Sequence, residues 1–238
     1  MSRARVIISL VGTAAVVVVP GAGITAVAAA APSPAQLVAS AFDAGLSEGS
    51  VRWISTEAAN GAKIGIVSDV GRTEGSQVVT WAQGSEAAAL SVVLVGRTAY
   101  LIGSAGGLYL QGFTATAATH EANKWIKVKP SSAAYGAAAA GLTMASALGP
   151  LKMAGAVTSV PGIKVLGVST LGFKGTSKPF DGQAGVAETV YVRSTGTPLP
   201  VEVVQKGSTT EFGNWGEPIK VTAPLGAVPI QAGWLRTK

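Results

Sequence analysis

The chain has 238 residues, of which 48% are hydrophobic and only 13% charged, with 18 basic and 12 acidic side chains. Ample apolar area and about half the usual share of charge exclude a disordered tail. The absence of cysteine excludes disulfides, thiolate metal sites, thiol catalysis and lipid attachment at a lipobox cysteine.

The formal net charge is +6. Arg3 and Arg5 sit at the extreme N-terminus, and most other lysines are scattered. Lys124, Lys127 and Lys129 form the one tight group. A mild affinity for anionic surfaces and transient membrane contact are expected; a nucleic-acid footprint is not.

The chain opens with two arginines, an apolar run over residues 6–19, a break at Pro20-Gly21 and a small-residue stretch over 26–31. Basic, apolar and small zones in that order predict a secretory signal, residues 1–31, cut near 28–31. The protein is therefore expected to be exported, to the exterior or the cell envelope. The alternative is an uncleaved N-terminal anchor, since residues 6–31 are long enough to span a bilayer. Pro20 and the glycines around it argue against that.

From residue 32 onward one domain is expected. Ser33 and Pro34 read as N-cap and first helical residue, followed by an apolar stripe at Leu37, Val38, Ala41, Phe42 and Leu46, with Gly45 and Gly49 ending the helix. The period then changes. "SVRWISTEAA", "AKIGIVSDVG", "SQVVTWAQG" and "ALSVVLVGRTAYLIG" are β-branched runs divided by Asn60-Gly61, Gly71 and Gly84, and they predict an antiparallel meander. A short helix around 116–122 and a strand over 124–128 come next. An alanine-rich helical region then runs to a stop at Pro150. Strands follow in "GIKVLGVSTLGFKG", "AETVYVRS", "LPVEVVQK", "TTEFGN" and "IKVTAP". This succession predicts an α+β fold with helices on one face of a long antiparallel sheet.

Catalysis needs converging ionisable groups, and they are scarce. His120 is the one histidine, with only Glu121 beside it, and reads as a surface residue. "GLSEG", residues 45–49, matches a nucleophile elbow in letters alone, because its helix precedes and its strand follows. "GSAGG", residues 103–107, fits no phosphate-loop spacing and reads as a loop. No pairing of carboxylates is legible. The chain reads as a non-catalytic protein without cofactor or metal.

The runs "KIGIV", "SVVLV" and "KVLGV" are apolar on both faces. A sheet with one solvated face alternates, so these strands imply either cover on both sides or a large cavity. Small helical side chains permit a hollow core and equally permit tight packing. A hollow would suffice to hold an acyl chain: at about 0.8 kcal/mol per methylene, a dozen carbons supply roughly 10 kcal/mol of gross driving force. Same-face strand positions and one helical stripe make Trp53, Ile64, Ile66, Val92, Leu94, Leu142, Met144 and Leu148 the candidate lining residues.

"LPVEVV" and "TTEFGNWGEPIKVTAP", preceded by "AETVYVRSTGTPLP", resemble the closing strands of the actinobacterial lipid-carrier lipoproteins of the LppX/LprG type. The early helix into "GSVRW", the "TAYLIG" strand, the "NKWIKV" strand and "KVLGVSTLGFKG" occur in the matching order. The resemblance implies a LolA/LolB-like half-barrel: a curved antiparallel sheet wrapped around helices, with an apolar cavity for a lipid or acylated glycolipid. It implies an exported, non-enzymatic carrier. The alternative is an envelope interaction protein with a filled core, its protein partner unspecified. Family members are tethered through a lipobox cysteine, which this chain lacks. Within the resemblance, "GNWGEP" is expected to close the sheet, with Trp215 as an apolar plug, Glu217 steadying the turn and Pro218 starting an edge strand.

Overall fold

The computed structural model describes residues 31–179 and 184–236, so the expected export signal lies, apart from Ala31, outside the described residues. Helix α1 spans Pro34–Glu48. It begins as its sequence demands: the Ser33 hydroxyl accepts from the Gln36 amide while the Gln36 side chain accepts from the Ser33 amide, a reciprocal capping box. It ends at Gly49, which takes the left-handed conformation with φ 87°. Gly45, expected to help end the helix, lies inside it and is buried. A Cβ at Gly45 would stand 3.0 Å from ring carbons of Trp215, so this position is glycine because an indole packs flat against the backbone. The buried set Val38, Ala41, Phe42 and Gly45 is one face of the helix at its own period.

After α1 the chain builds the meander: β1 (Ser50–Ala59), β2 (Ala62–Gly71), β3 (Gly75–Gln83), β4 (Glu86–Val95) and β5 (Thr98–Gly103). Asn60 and Gly61, with φ of 51° and 78°, make the two-residue turn between β1 and β2. Two short helices follow, α2 (Ala105–Leu110) and α3 (Ala115–Glu121), then β6 (Ile126–Val128), α4 (Tyr135–Ala139) and α5 (Met144–Leu148). The second half adds β7 (Met153–Val160), β8 (Lys164–Val165), β9 (Val168–Ser177), β10 (Ala187–Arg193), β11 (Pro200–Gln205), β12 (Ser208–Gly213) and β13 (Val228–Pro229).

Among the described residues the strands form a 13-stranded sheet in the order β13-β6-β5-β4-β3-β2-β1-β12-β11-β10-β9-β7, with β8 paired to β9. Every pairing is antiparallel except β13 with β6. The sheet is curved and unclosed, with the helices on one face, as expected of a LolA/LppX-like half-barrel. Its middle seam joins distant sequence: Trp53 on β1 faces Phe212 on β12. Two apolar clusters lie between sheet and helices. One gathers α2, α3 and α4 over β4, β5 and β6 around Leu101, Leu108, Phe113 and Ile126. The other gathers α1 and α5 over β1, β2 and β9 to β12 around Phe42, Val70, Phe173 and Val190. A fully buried side chain of this kind is worth about 1.5–3 kcal/mol, so the two clusters dominate the stability.

Four local expectations differ from the structure. Residues 103–107, read as a loop, lead into α2, because the Ser104 hydroxyl accepts the Gly107 amide as an N-cap. The alanine-rich region is two short helices rather than one; the break is Gly141, with φ 71°. Residues 153–160, not expected as a strand, form β7 on the sheet edge. "IKVTAP", residues 219–224, forms no strand, and Pro218 starts none. Pro218 and Pro224 lack the amide a ladder needs, and the chain instead pairs further on, at β13. Trp215 does act as a plug: it stacks on Phe212 with ring centroids 6.0 Å apart and abuts Gly45. The turn at Glu217 is held by its backbone, whose carbonyl accepts from the Ser50 hydroxyl at 2.6 Å.

Candidate ligand-binding site

Register assigns every strand residue to a face. From β12 through β1, β2 and β3 to β4 the pairing runs without a shift, so Phe212, Trp53, Ser68, Gln77 and Val92 share one row on the helix-covered face. One row along come Thr210, Ser55, Ile66, Val79 and Leu90, and beyond them Ser208, Glu57, Ile64, Trp81 and Ala88. The inner face is therefore fully buried near α1 and α5 and opens progressively toward the β1–β2 and β3–β4 turns: Val70 is buried, whereas Ile66, Ile64 and Trp81 are half-buried.

A slot of about 120 Å³ remains between the layers. Val79, Trp81, Leu90 and Val92 are among its sheet residues; Gly107, Leu110, Ala137 and Ala138 border it from α2 and α4. It exists because alanine and glycine on the helices do not reach the β-branched and aromatic side chains beneath. Helix α4 is weakly secured there: it has five residues and no side-chain cap hydrogen bond at its N-terminus. Leu110 is 55% exposed, so an apolar side chain stands at the slot's edge in water.

The eight residues chosen from sequence all lie between sheet and helices or beside the seam. Val92 lines the slot. Leu94 and Leu142 belong to the first apolar cluster, Met144 and Leu148 to the second, and all four are buried. Trp53 packs at the border of the second cluster, near Gly141, with its indole Nε1 buried and lacking a protein partner. Ile64 and Ile66 lie half-buried on β2, and Ile64 lines the larger depression beside the slot. The slot residues that sequence reasoning missed are Val79, Trp81, Leu110 and Ala137. The alternation that picked Ile64 and Ile66 applies equally to Val79 and Trp81, their partners across β3.

A second, larger depression of about 800 Å³ lies toward the β1–β2 and β3–β4 turns and shares Trp81, Ala88 and Ala89 with the slot. Its lining takes three adjacent rows: the inner-face row Ser208, Glu57, Ile64, Trp81 and Ala88 in the middle, with Thr209, Thr56, Gly65, Thr80 and Ala89 on one side and Ala58, Lys63, Ala82 and Ala87 on the other. Five strands at about 4.8 Å spacing make a trough roughly 20 Å long. Ile54 and Val78 are exposed on the face away from the helices. The strands apolar on both faces thus have helical cover on one side only.

Chemistry at either depression is limited. Among the described residues no group of three histidine, aspartate or glutamate side chains is placed to hold a metal ion. His120 is exposed and contacts only Glu121, which also pairs with Lys124 at 3.6 Å. The Ser47 hydroxyl donates to the carbonyl of Ala44 within α1. One ionisable group is unusual. Glu188 on β10 is 2% exposed; burial pushes its carboxyl up to about 7, opposed in part by a hydrogen bond from the Gln205 amide at 2.9 Å. Its Oε1 has no protein partner.

No family model matches the chain, and no curated protein matches it in sequence. Among solved structures it is similar to LprF from Mycobacterium bovis, at 14% identity and a TM-score of 0.55, over 83% of this chain and 100% of that one. An uncharacterized conserved protein from Thermus thermophilus is 12% identical, with a TM-score of 0.41 over 83% of this chain and 99% of that one. A DUF1329 family protein from Desulfovibrio piger is 10% identical, with a TM-score of 0.24 over 74% of this chain and 91% of that one. The latter two are too loose to argue from. The likeness to LprF establishes the half-barrel fold and nothing finer. No helix of the described residues is long and apolar enough to cross a membrane.

Proposed function

We propose that the protein is an exported, non-catalytic carrier of a lipid or another hydrophobic ligand, held between the inner sheet face and the α2/α4 roof. The observation that carries this reading is the slot over Val79, Trp81 and Val92, bordered by small side chains and reaching an exposed Leu110. At about 120 Å³ it is below the usual 300–1,000 Å³ of a ligand pocket, so α4 must lift for an acyl chain to enter. The trough, lined almost wholly by the sheet, is long enough but covers a chain from one side only. Half the burial of a dozen carbons gives roughly 5 kcal/mol, which association costs of about 4–15 kcal/mol consume. Enclosure from both sides doubles the gain. The helix-covered slot is therefore the better carrier, with a lipid or acylated glycolipid as the ligand class.

The test is native mass spectrometry of gently purified protein with organic extraction of the same sample. Near-stoichiometric lipid is expected from the wild type. Ala137 is exposed at the rim, so Ala137→Phe should fold while filling the slot, lowering recovered lipid at least fivefold with little change in melting temperature. A second reading, an envelope interaction protein with a filled core, draws on Ile54 and Val78, exposed on the sheet face away from the helices. A clean apo mass that persists after incubation with envelope lipids would favour it.

A further inference from the structure

A cavity of about 580 Å³ lies at the β13–β6 edge, away from the slot floor. Three cations line it, Lys127, Lys129 and Arg236, together with the hydroxyl side chain of Ser131 and an apolar wall that includes Ile230 and Leu235. None of its lining residues is acidic. In a chain with 12 carboxylates against 18 cations, a cavity holding three positive charges and no acid is built for an anion. The cations are also held apart from competing partners. Lys127 stands on the face of β6 away from the core, its Nζ 6.0 Å above the Tyr100 ring. The Arg236 guanidinium lies 4.3 Å from the Tyr109 ring centre and donates one hydrogen bond, at 2.7 Å, to the Tyr109 carbonyl. Its backbone amide donates to the Gly112 carbonyl at 2.9 Å, fixing the residue in place. Its remaining guanidinium N–H groups have no protein acceptor among the described residues.

We infer that this cavity is a docking site for the anionic headgroups of a membrane, the phosphate meeting the three cations and the glycerol and upper acyl carbons lying on Ile230 and Leu235. The apolar wall distinguishes this ligand from a bare anion, which would leave it in water. Helix α2 joins the cavity to the slot: Tyr109, 44% exposed, holds Arg236, and the next residue, Leu110, borders the slot. Docking through the cations therefore brings the slot's edge to the bilayer surface. Only that last consequence rests on the carrier reading; the headgroup site stands without it.

Flotation with vesicles tests the inference. The wild-type protein should float with phosphatidylcholine mixed with phosphatidylglycerol in equal parts, and should stay behind with phosphatidylcholine alone. Each basic residue near an anionic surface strengthens binding about fivefold. The Lys127→Gln/Lys129→Gln/Arg236→Gln variant should thus partition at least about thirtyfold less. The Lys127→Gln/Lys129→Gln variant, which keeps the Arg236–Tyr109 contact and hence the fold, should lose at least about tenfold. A charge-matched control, Lys164→Gln/Lys174→Gln/Lys206→Gln, should lose less than about threefold, the share due to net charge alone. Equal loss in both triple variants, or no flotation of the wild type, overturns the site. So does free glycerol phosphate abolishing flotation by saturating the same residues at millimolar concentration, which would make the ligand a soluble anion. Lipid recovery plays no part in the readout, so failure here and failure of the carrier reading are separable.

Discussion

Single residues mark where this fold tolerates no change. Alanine is a better helix former than glycine by about 0.8–1 kcal/mol, yet Gly45→Ala should destabilise, because its Cβ meets the Trp215 ring at 3.0 Å. A net loss of about 1–2 kcal/mol is expected from denaturant melts. In the Trp215→Ala background the same substitution should turn neutral or stabilising. Glu188 provides the second test. Its folded pKa of about 7 lies above the ordinary 4.5, so the folded state holds the proton longer than the unfolded chain does. Its favourable contribution is complete below about pH 4.5 and is lost as pH rises through about 7. The wild type should therefore lose roughly 2 kcal/mol, or about 5 °C in Tm, between about pH 4.5 and 8 relative to Glu188→Gln. Parallel pH profiles for the two proteins would remove Glu188 from the account. Glu202 is raised by burial first and by Glu211 second, its partner directly across from β11 to β12, an electrostatic cost that the sheet tolerates at its surface.

Elements show which parts hold and which give. The reciprocal cap and glycine stop of α1 are written locally, so its extent was legible apart from Gly45, whose reason is a tryptophan 170 positions later. The meander was legible for the same reason: alternation and Asn60-Gly61 are local signals. What could not be read was set by distant partners. β7 exists because β9 offers it an edge, and its register slips between Ala154 and Thr158, so its alternation is broken. Residues 219–224 have strand-like side chains but are bracketed by prolines. Of the candidate site, the shared face of Trp53, Ile64, Ile66 and Val92 follows from period-two alternation. Which of them meets empty space depends on α2 and α4, whose placement no local pattern encodes. The uncapped α4 leads to a prediction of its own. Its amides should exchange by local opening, at least about a hundredfold less protected than those of β4 and β5 beneath it. Equal protection would mean that the roof does not lift.

At the scale of the whole molecule, the sheet path sets the electrostatic and apolar layout together. The helices cover the inner face, the trough adjoins the slot toward the β1–β2 and β3–β4 turns, and the basic cavity sits at the β13–β6 edge beside α2. The same path has a further consequence. Strand β1 is flanked by β2, its immediate successor, and by β12, some 150 positions further along the chain. During synthesis or refolding, β1 to β6 can pair through near neighbours, leaving the far edge of β6 to await β13. β1 nevertheless stays half-clothed, a row of open backbone groups, until about the last eighth of the polypeptide arrives. A chain halted before residue 208 would thus be paired through its meander and adhesive at the β1 edge. The joint between Trp53 and Phe212 is a clasp fastened late, and its closure separates a finished molecule from one that recruits its neighbours.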